Sequence, residues 1–239
     1  MFYYSILFSL HGPKTNLYTY LPTIQKRALE ITGNLKEGST YALICDGASA
    51  AYLRQFPSLA SVQILVAPTP KRIQDGMSMR YLLPFLTDLS GQTAVYIDLD
   101  MLPLKQVAFD VADDSILVLP EGHPTDTNYC GNHPLRLPVG VTSGFFAFRD
   151  GPRIRKLFQT IVFAISSSKE DYYTVDQPHF NHALAAAPNV DFMDATLVSF
   201  NGHTNQGVAS WINLCGDPGD GPLHFQKVLE FFSSAYTRR

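Results

Sequence analysis

The sequence predicts a single α/β domain built on a mostly parallel sheet flanked by helices. Three observations carry that expectation. Apolar runs of strand length alternate with segments of helical periodicity through the first half of the chain. Several of those runs close on Asp, Gly or Pro, where a chain leaving a sheet turns. No repeat, low-complexity tract or linker-like stretch divides the 239 residues, a length that one α/β domain fills by itself.

Taken in order, Phe2–Leu10 is a first buried strand, closed by Gly12-Pro13. Leu21, Ile24, Ala28 and Ile31 follow at helical spacing, with Lys26, Arg27 and Glu30 off that stripe. Tyr41–Cys45 is a second strand ending at Asp46-Gly47, and Ala48–Phe56 a short helix. Val62–Val66 is a third strand, closed by Pro68 and Pro70. Met79, Leu82, Leu83 and Leu86 form a helical stripe interrupted by Pro84, and an apolar strand from Thr93 follows. Strands separated by helices of this length imply right-handed crossovers and parallel pairing.

The second half is less regular. Ile116–Leu119 is a strand and Glu121–Val139 a long polar loop, the kind of segment that covers an active site. Gly144–Arg149 is a strand. Asp150-Gly151-Pro152 opens a helix carrying Ile154, Leu157, Phe158, Ile161 and Ile165 on one side. Asp176 opens a short helix to Ala187, Phe192–Phe200 is mixed, and Leu223–Phe232 is a closing helix.

Composition excludes several classes. With 46% hydrophobic and 16% charged residues the chain builds a core rather than staying disordered. A net charge of −3, with no basic cluster beyond pairs such as Lys71-Arg72, argues against nucleic-acid binding. Cys45, Cys130 and Cys215 are odd in number and far apart, so a reducing, cytoplasmic setting is expected. Met1–Leu10 lacks a basic leader and is too short to span a bilayer. A peripheral membrane contact stays open.

Chemistry concentrates in Val95-Tyr96-Ile97-Asp98-Leu99-Asp100. In an extended chain, residues two apart share a face, so Asp98 and Asp100 aim at one spot at a strand's end. Like charges that close repel unless a cation lies between them. A hard divalent ion with positions left for phosphate oxygens suits two carboxylates. In parallel sheets ligands bind beyond the carboxyl ends of the strands, where Asp46 also falls.

Bland readings stand beside this one. Paired aspartates also form turns and caps, and Asp176 ahead of Gln177-Pro178 has the pattern of an ordinary N-cap. Arg80 lies off its apolar stripe, as a solvated surface charge does. His224 fits a buried, hydrogen-bonded imidazole as well as a ligand. His123, Asp126, Cys130 and His133 have soft-ligand composition but no zinc spacing. Ser143 lacks the G-x-S-x-G elbow of a hydrolase. Tyr172 and Tyr173 pack an edge or stack a ring.

In the order Arg80 with Leu83-Pro84, Asp98-Leu99-Asp100, Thr142-Ser143-Gly144-Phe145-Phe146, Val175-Asp176-Gln177-Pro178 and Leu223-His224-Phe225 with Lys227, the chain resembles the GT-A-fold glycosyltransferases. It is similar to their family 8 and nucleotide-diphospho-sugar transferase groups over residues 1–230. The resemblance implies a Rossmann-like GT-A domain over 1–239, with a nucleotide-binding half (1–105) and an acceptor-binding half (106–239). It implies Mn2+ or Mg2+ on Asp98, Asp100 and His224. Ser9, His11, Asp46, Arg80, Asp98, Leu99, Ser143, Gly144 and Lys227 would bind the donor, a nucleoside-diphosphate sugar expected to be a UDP-sugar. Asp176 and Gln177 would lie at the reacting centre, and a glycan or other hydroxyl would accept the sugar. Two departures stand out: Phe225-Gln226-Lys227-Val228 replaces the family's Gly-x-x-Lys-Pro-Trp run, and Thr142 stands where Asn is usual. The rival readings are a noncatalytic nucleotide- or glycan-binding module and a nucleotidyltransferase. The second needs a glycine-rich phosphate loop, and Leu10-His11-Gly12-Pro13-Lys14 has one glycine.

Overall fold

A computed structural model describes residues 1–8, 15–89, 91–170, 176–200, 205 and 207–213. Strand β1 (Phe2–Leu7) leads to helix α1 (Thr15–Ile31), β2 (Thr40–Cys45), α2 (Gly47–Leu53) and β3 (Gln63–Val66). Helices α3 (Ile73–Met77) and α4 (Leu83–Leu86) flank a 3-10 turn at Ser78–Tyr81 and precede β4 (Thr93–Ile97) and β5 (Met101–Pro103). Then come β6 (Ile116–Gly122), α5 (Thr127–Cys130), β7 (Gly140–Arg149), α6 (Pro152–Ser167) and α7 (Gln177–Leu184). Strands β8 (Val190–Phe192), β9 (Val198–Phe200) and β10 (Trp211–Asn213) follow.

Seven strands form one sheet in the order β3-β2-β1-β4-β7-β6-β8. Only β7 runs against the rest, pairing antiparallel with β4 and β6. The expected mostly parallel α/β sheet is present. A second sheet, β5-β10-β9, lies beside it.

Strand alternation sorts β1 onto two cores. Phe2, Tyr4 and Ile6 face the layer of the 3-10 turn, α6 and α7, with Tyr81, Phe146, Phe158 and Phe180. Tyr3 and Leu7 face the other, with Leu29, Leu53, Phe145 and Trp211. Both faces of the sheet are therefore covered, which is why its strands read as continuous apolar runs.

Three expectations need correction. The stripe from Met79 to Leu86 is no single helix, because Pro84 has no N–H to give the carbonyl of Arg80 one turn back. The hydroxyl of Tyr4 donates to that carbonyl instead, at 2.7 Å. The supposed loop 121–139 begins as strand, since β6 runs on to Gly122 and pairs it with Gly140. Within it Asp126 caps α5 by accepting from the Asn128 N–H at 2.9 Å. The strand expected from Gly144 begins four residues earlier, at Gly140. The third strand of the small sheet, β10, has no counterpart in the sequence reading. The helix expected at Leu223–Phe232, like Cys215, Tyr172 and Tyr173, lies outside the described residues.

Around the irregular β6–β7 pairing, α7 completes the sheet. Asn181, fully buried, donates to the Val141 carbonyl at 2.8 Å and accepts from the Val141 N–H at 2.8 Å. Asn181→Ala strands both groups in the interior and is expected to cost about 2–4 kcal/mol, read as a lower urea midpoint with the denaturant slope unchanged.

Candidate functional site

Strand β4 ends at Ile97, and Asp98–Asp100 is not extended but a tight turn in which the Met101 N–H donates to the Asp98 carbonyl at 2.9 Å. The turn, rather than strand alternation, brings the two carboxylates near each other. It is clamped from α1 by Gln25, whose amide donates to the carbonyls of Asp98 and Met101 at 2.8 and 2.9 Å. Tyr41 and Ser5 hydroxyls fix the other end of that amide at 2.7 Å each. Gln25 lies on the helical stripe with Leu21 and Ala28. The sequence reading passed Gln25 over, although a polar residue on a buried stripe is a signal that could have marked it.

On the other side β7 approaches. The Asp98 N–H donates to the Gly144 carbonyl at 2.9 Å. A Cβ on Gly144 would lie 2.6 Å from Asp98 Oδ2, so only glycine lets the carboxylate rest there. Asp98 is one-third exposed and accepts from the Tyr96 hydroxyl.

Arg80 corrects the surface-charge reading: it is 1% exposed. Its guanidinium lies 3.6 Å from Asp98 Oδ1 and 3.5 Å from Asp176 Oδ2, and donates to the Ser143 carbonyl at 2.6 Å. Its Cζ also sits 4.9 Å over the Tyr96 ring. Burial works against its charge, but Asp176, Tyr96 and Asp98 outweigh that and hold it protonated.

Asp176 is not the side-chain N-cap its sequence suggests. Its carboxylate, fully buried, turns to Tyr81, whose hydroxyl donates at 2.6 Å, and to Arg80. Desolvation pushes Asp176 up, and Arg80 and Tyr81 pull it partly back. Gln177 accepts from the Ser143 N–H at 3.0 Å and donates to the Asn128 carbonyl at 3.2 Å, tying β7 to α5.

Glu121, unremarked in the sequence as a site residue, is exposed at the carboxyl end of β6 and accepts from the hydroxyls of Thr142 and Tyr129. The Tyr129 ring occupies the space over Gly122 and Gly140, where a Cβ on either would collide with it. Although the residue keeps exposed surface, the protein packed around its carboxyl desolvates it and raises it, and Asp98 adds to the effect.

The structure thus gathers Arg80, Asp98, Asp100, Ser143, Gly144, Asp176 and Gln177. Leu99 is buried in the core on the α1 side. Asp46 stands apart, two strands away at the end of β2, where it caps α2 by accepting from the Ser49 N–H at 2.8 Å. Ser9, His11, His224 and Lys227 lie outside the described residues.

As to a cation, Asp100 Oδ1 is buried with no hydrogen-bond partner among the described residues. Desolvation first, then the charge of Asp98, pushes the Asp100 carboxyl up to about 7. An orphaned carboxylate oxygen beside a second carboxylate, all hard oxygen donors, fits Mg2+ or Mn2+. Among the described residues no group of three or more His, Cys, Asp or Glu gathers as a metal cluster, so the 123–133 segment forms none. Cys45 and Cys130 are free and buried, and no described helix is long and apolar enough to cross a membrane. Compared with known proteins, the chain matches no family model and no curated sequence.

Two outcomes are expected. Gly144→Ala displaces the Asp98 carboxylate and abolishes any rise in melting temperature caused by Mn2+, while circular dichroism stays that of the native chain. The second concerns pH. An Asp raised from 3.8 to about 7 keeps its proton in the fold after the unfolded chain has lost it, so stability falls as pH rises from about 4 to 7. Melting curves without metal are expected to show that fall, and Asp100→Asn to flatten it.

Proposed function

We propose that the chain is a metal-dependent glycosyltransferase, moving a sugar from a nucleoside diphosphate donor to an acceptor hydroxyl. One observation carries this reading: the buried oxygen of Asp100, unpartnered among the described residues, beside Asp98 at the carboxyl end of β4. Carboxylates left in that state cost free energy unless a cation relieves them. A second support is position, since the carboxyl ends of a mostly parallel sheet are where such folds bind nucleotides.

Asp98 and Asp100 would hold the cation, with His224 as the further ligand the resemblance implies. What a divalent ion supplies there is Lewis-acid stabilisation of the charge that grows on the departing diphosphate oxygens. The chain's own groups do the rest. Arg80 and Tyr96 hold Asp98 in place, and Gln25 and Gly144 set the turn that presents it. Asp176 is too enclosed to touch a substrate, and acts through Arg80 and Tyr81 as a positioning residue. Gln177 fixes Ser143, whose backbone lines the approach to Asp98. The donor half is residues 1–105, the acceptor half 106–239, and the setting cytoplasmic.

The test is release of nucleoside diphosphate from a panel of UDP-sugars, with and without Mn2+. Asp98→Asn and Asp100→Asn are each expected to lower turnover about 10³-fold or more, with native circular dichroism. Turnover that survives saturating chelator overturns the proposal. A rise in melting temperature with UDP and Mn2+ but no donor consumption identifies a noncatalytic binding module instead.

A further inference from the structure

The outward faces of α6 and α7 enclose a groove of about 530 Å3, within the range of small-molecule sites. It lies across α7 from the acid pair: Gln177, Phe180, Asn181 and Leu184 are buried, whereas His179, His182, Ala183 and Ala186 line the groove.

Its lining has one chemical character. Arg153 and Lys156 from α6 and His179 and His182 from α7 are its titratable side chains, and no carboxylate or amide side chain lines it. Its floor is Leu157, Ala164, Ala183, Ala187 and Pro188. Thr160, whose hydroxyl donates to the Lys156 carbonyl at 2.9 Å, is its one neutral hydroxyl side chain, so the lining offers a sugar or nucleoside few side-chain acceptors for its hydroxyls. An apolar body with an acceptor-only head matches it.

The cations have capacity to spare. Lys156 makes no ion pair among the described residues. The Arg153 backbone N–H donates to Asp114 Oδ1 at 2.9 Å, while its guanidinium approaches that carboxylate through Nε at 4.0 Å, which leaves its terminal nitrogens for another acceptor. His182 is held by the Cys130 carbonyl at 2.9 Å from Nε2, so its ring is oriented before anything binds. Glu170 acts on His179 but does not line the groove. Phe163, seven residues beyond Lys156 on the same side of α6, is 72% exposed and extends the apolar surface at the rim.

We propose that this groove binds a single amphipathic anion, an alkyl or acyl chain bearing a phosphate or carboxylate head, with the chain along the alanine floor and the head at Arg153 and Lys156.

Titration calorimetry on the intact protein tests it, with decyl phosphate, decanoate, decanol and inorganic phosphate as probes below their micellar concentrations. Decyl phosphate and decanoate are expected to bind one-to-one and saturably, decanol and phosphate much more weakly. Removing both charges in Arg153→Ala/Lys156→Ala is expected to weaken decyl phosphate about tenfold. Ala186→Trp, at an exposed position, fills the groove and abolishes binding while the unfolding curve stays that of the native chain. No saturable binding of decyl phosphate overturns the proposal, as does equal affinity for decanol or undiminished binding to Ala186→Trp. Sedimentation with phosphatidylglycerol vesicles, without a one-to-one isotherm for decyl phosphate, overturns it in favour of a bilayer surface.

Discussion

A guanidinium enclosed by two carboxylates fixes where three parts of the molecule meet. Arg80 comes from the 3-10 turn, Asp98 from the end of β4 and Asp176 from the start of α7. Its charge has left water almost completely, and that is tolerable only because opposite charges and carbonyls surround it. The same guanidinium holds Ser143 of β7. Four chain segments distant in sequence are thereby brought into register around one cation, and the acid pair opens beside them.

That arrangement gives the two aspartates different tasks. Asp98 is already answered by Arg80 and Tyr96. Asp100 is not answered on one oxygen by any described residue. One acid is thus paired at Oδ1, while its neighbour keeps a buried oxygen unpaired among the described residues, a state that an interior rarely leaves without a reason. Glu121, steadied by Tyr129 and Thr142, places a third acid within electrostatic reach of Asp98 on the solvent side.

Much of the architecture was legible because strand and helix periods are local properties. The strands flanking Asp46 and Asp98 are where alternation and punctuation put them, and their ends share one side of the sheet. What escaped depended on tertiary partners. The geometry of Asp98-Leu99-Asp100 was misjudged because Gln25, seventy residues earlier, bends it into a turn. Arg80 looked like a surface charge because its partners lie in β4 and α7. The 121–139 segment looked like loop because its turn-forming residues hide a glycine pair that exists to admit a tyrosine ring. Gln25 and Asn181 could have been found, since each puts an amide on a helical face otherwise apolar.

The bond from Tyr4 to the Arg80 carbonyl replaces one that Pro84 forbids, and it couples β1, an inner strand of the sheet, to the backbone of the buried cation. The strand that packs both cores thus pins the main chain from which the arginine side chain springs. The buried charge is a fixed post, anchored at its backbone by β1 and at its guanidinium by Asp98 and Asp176.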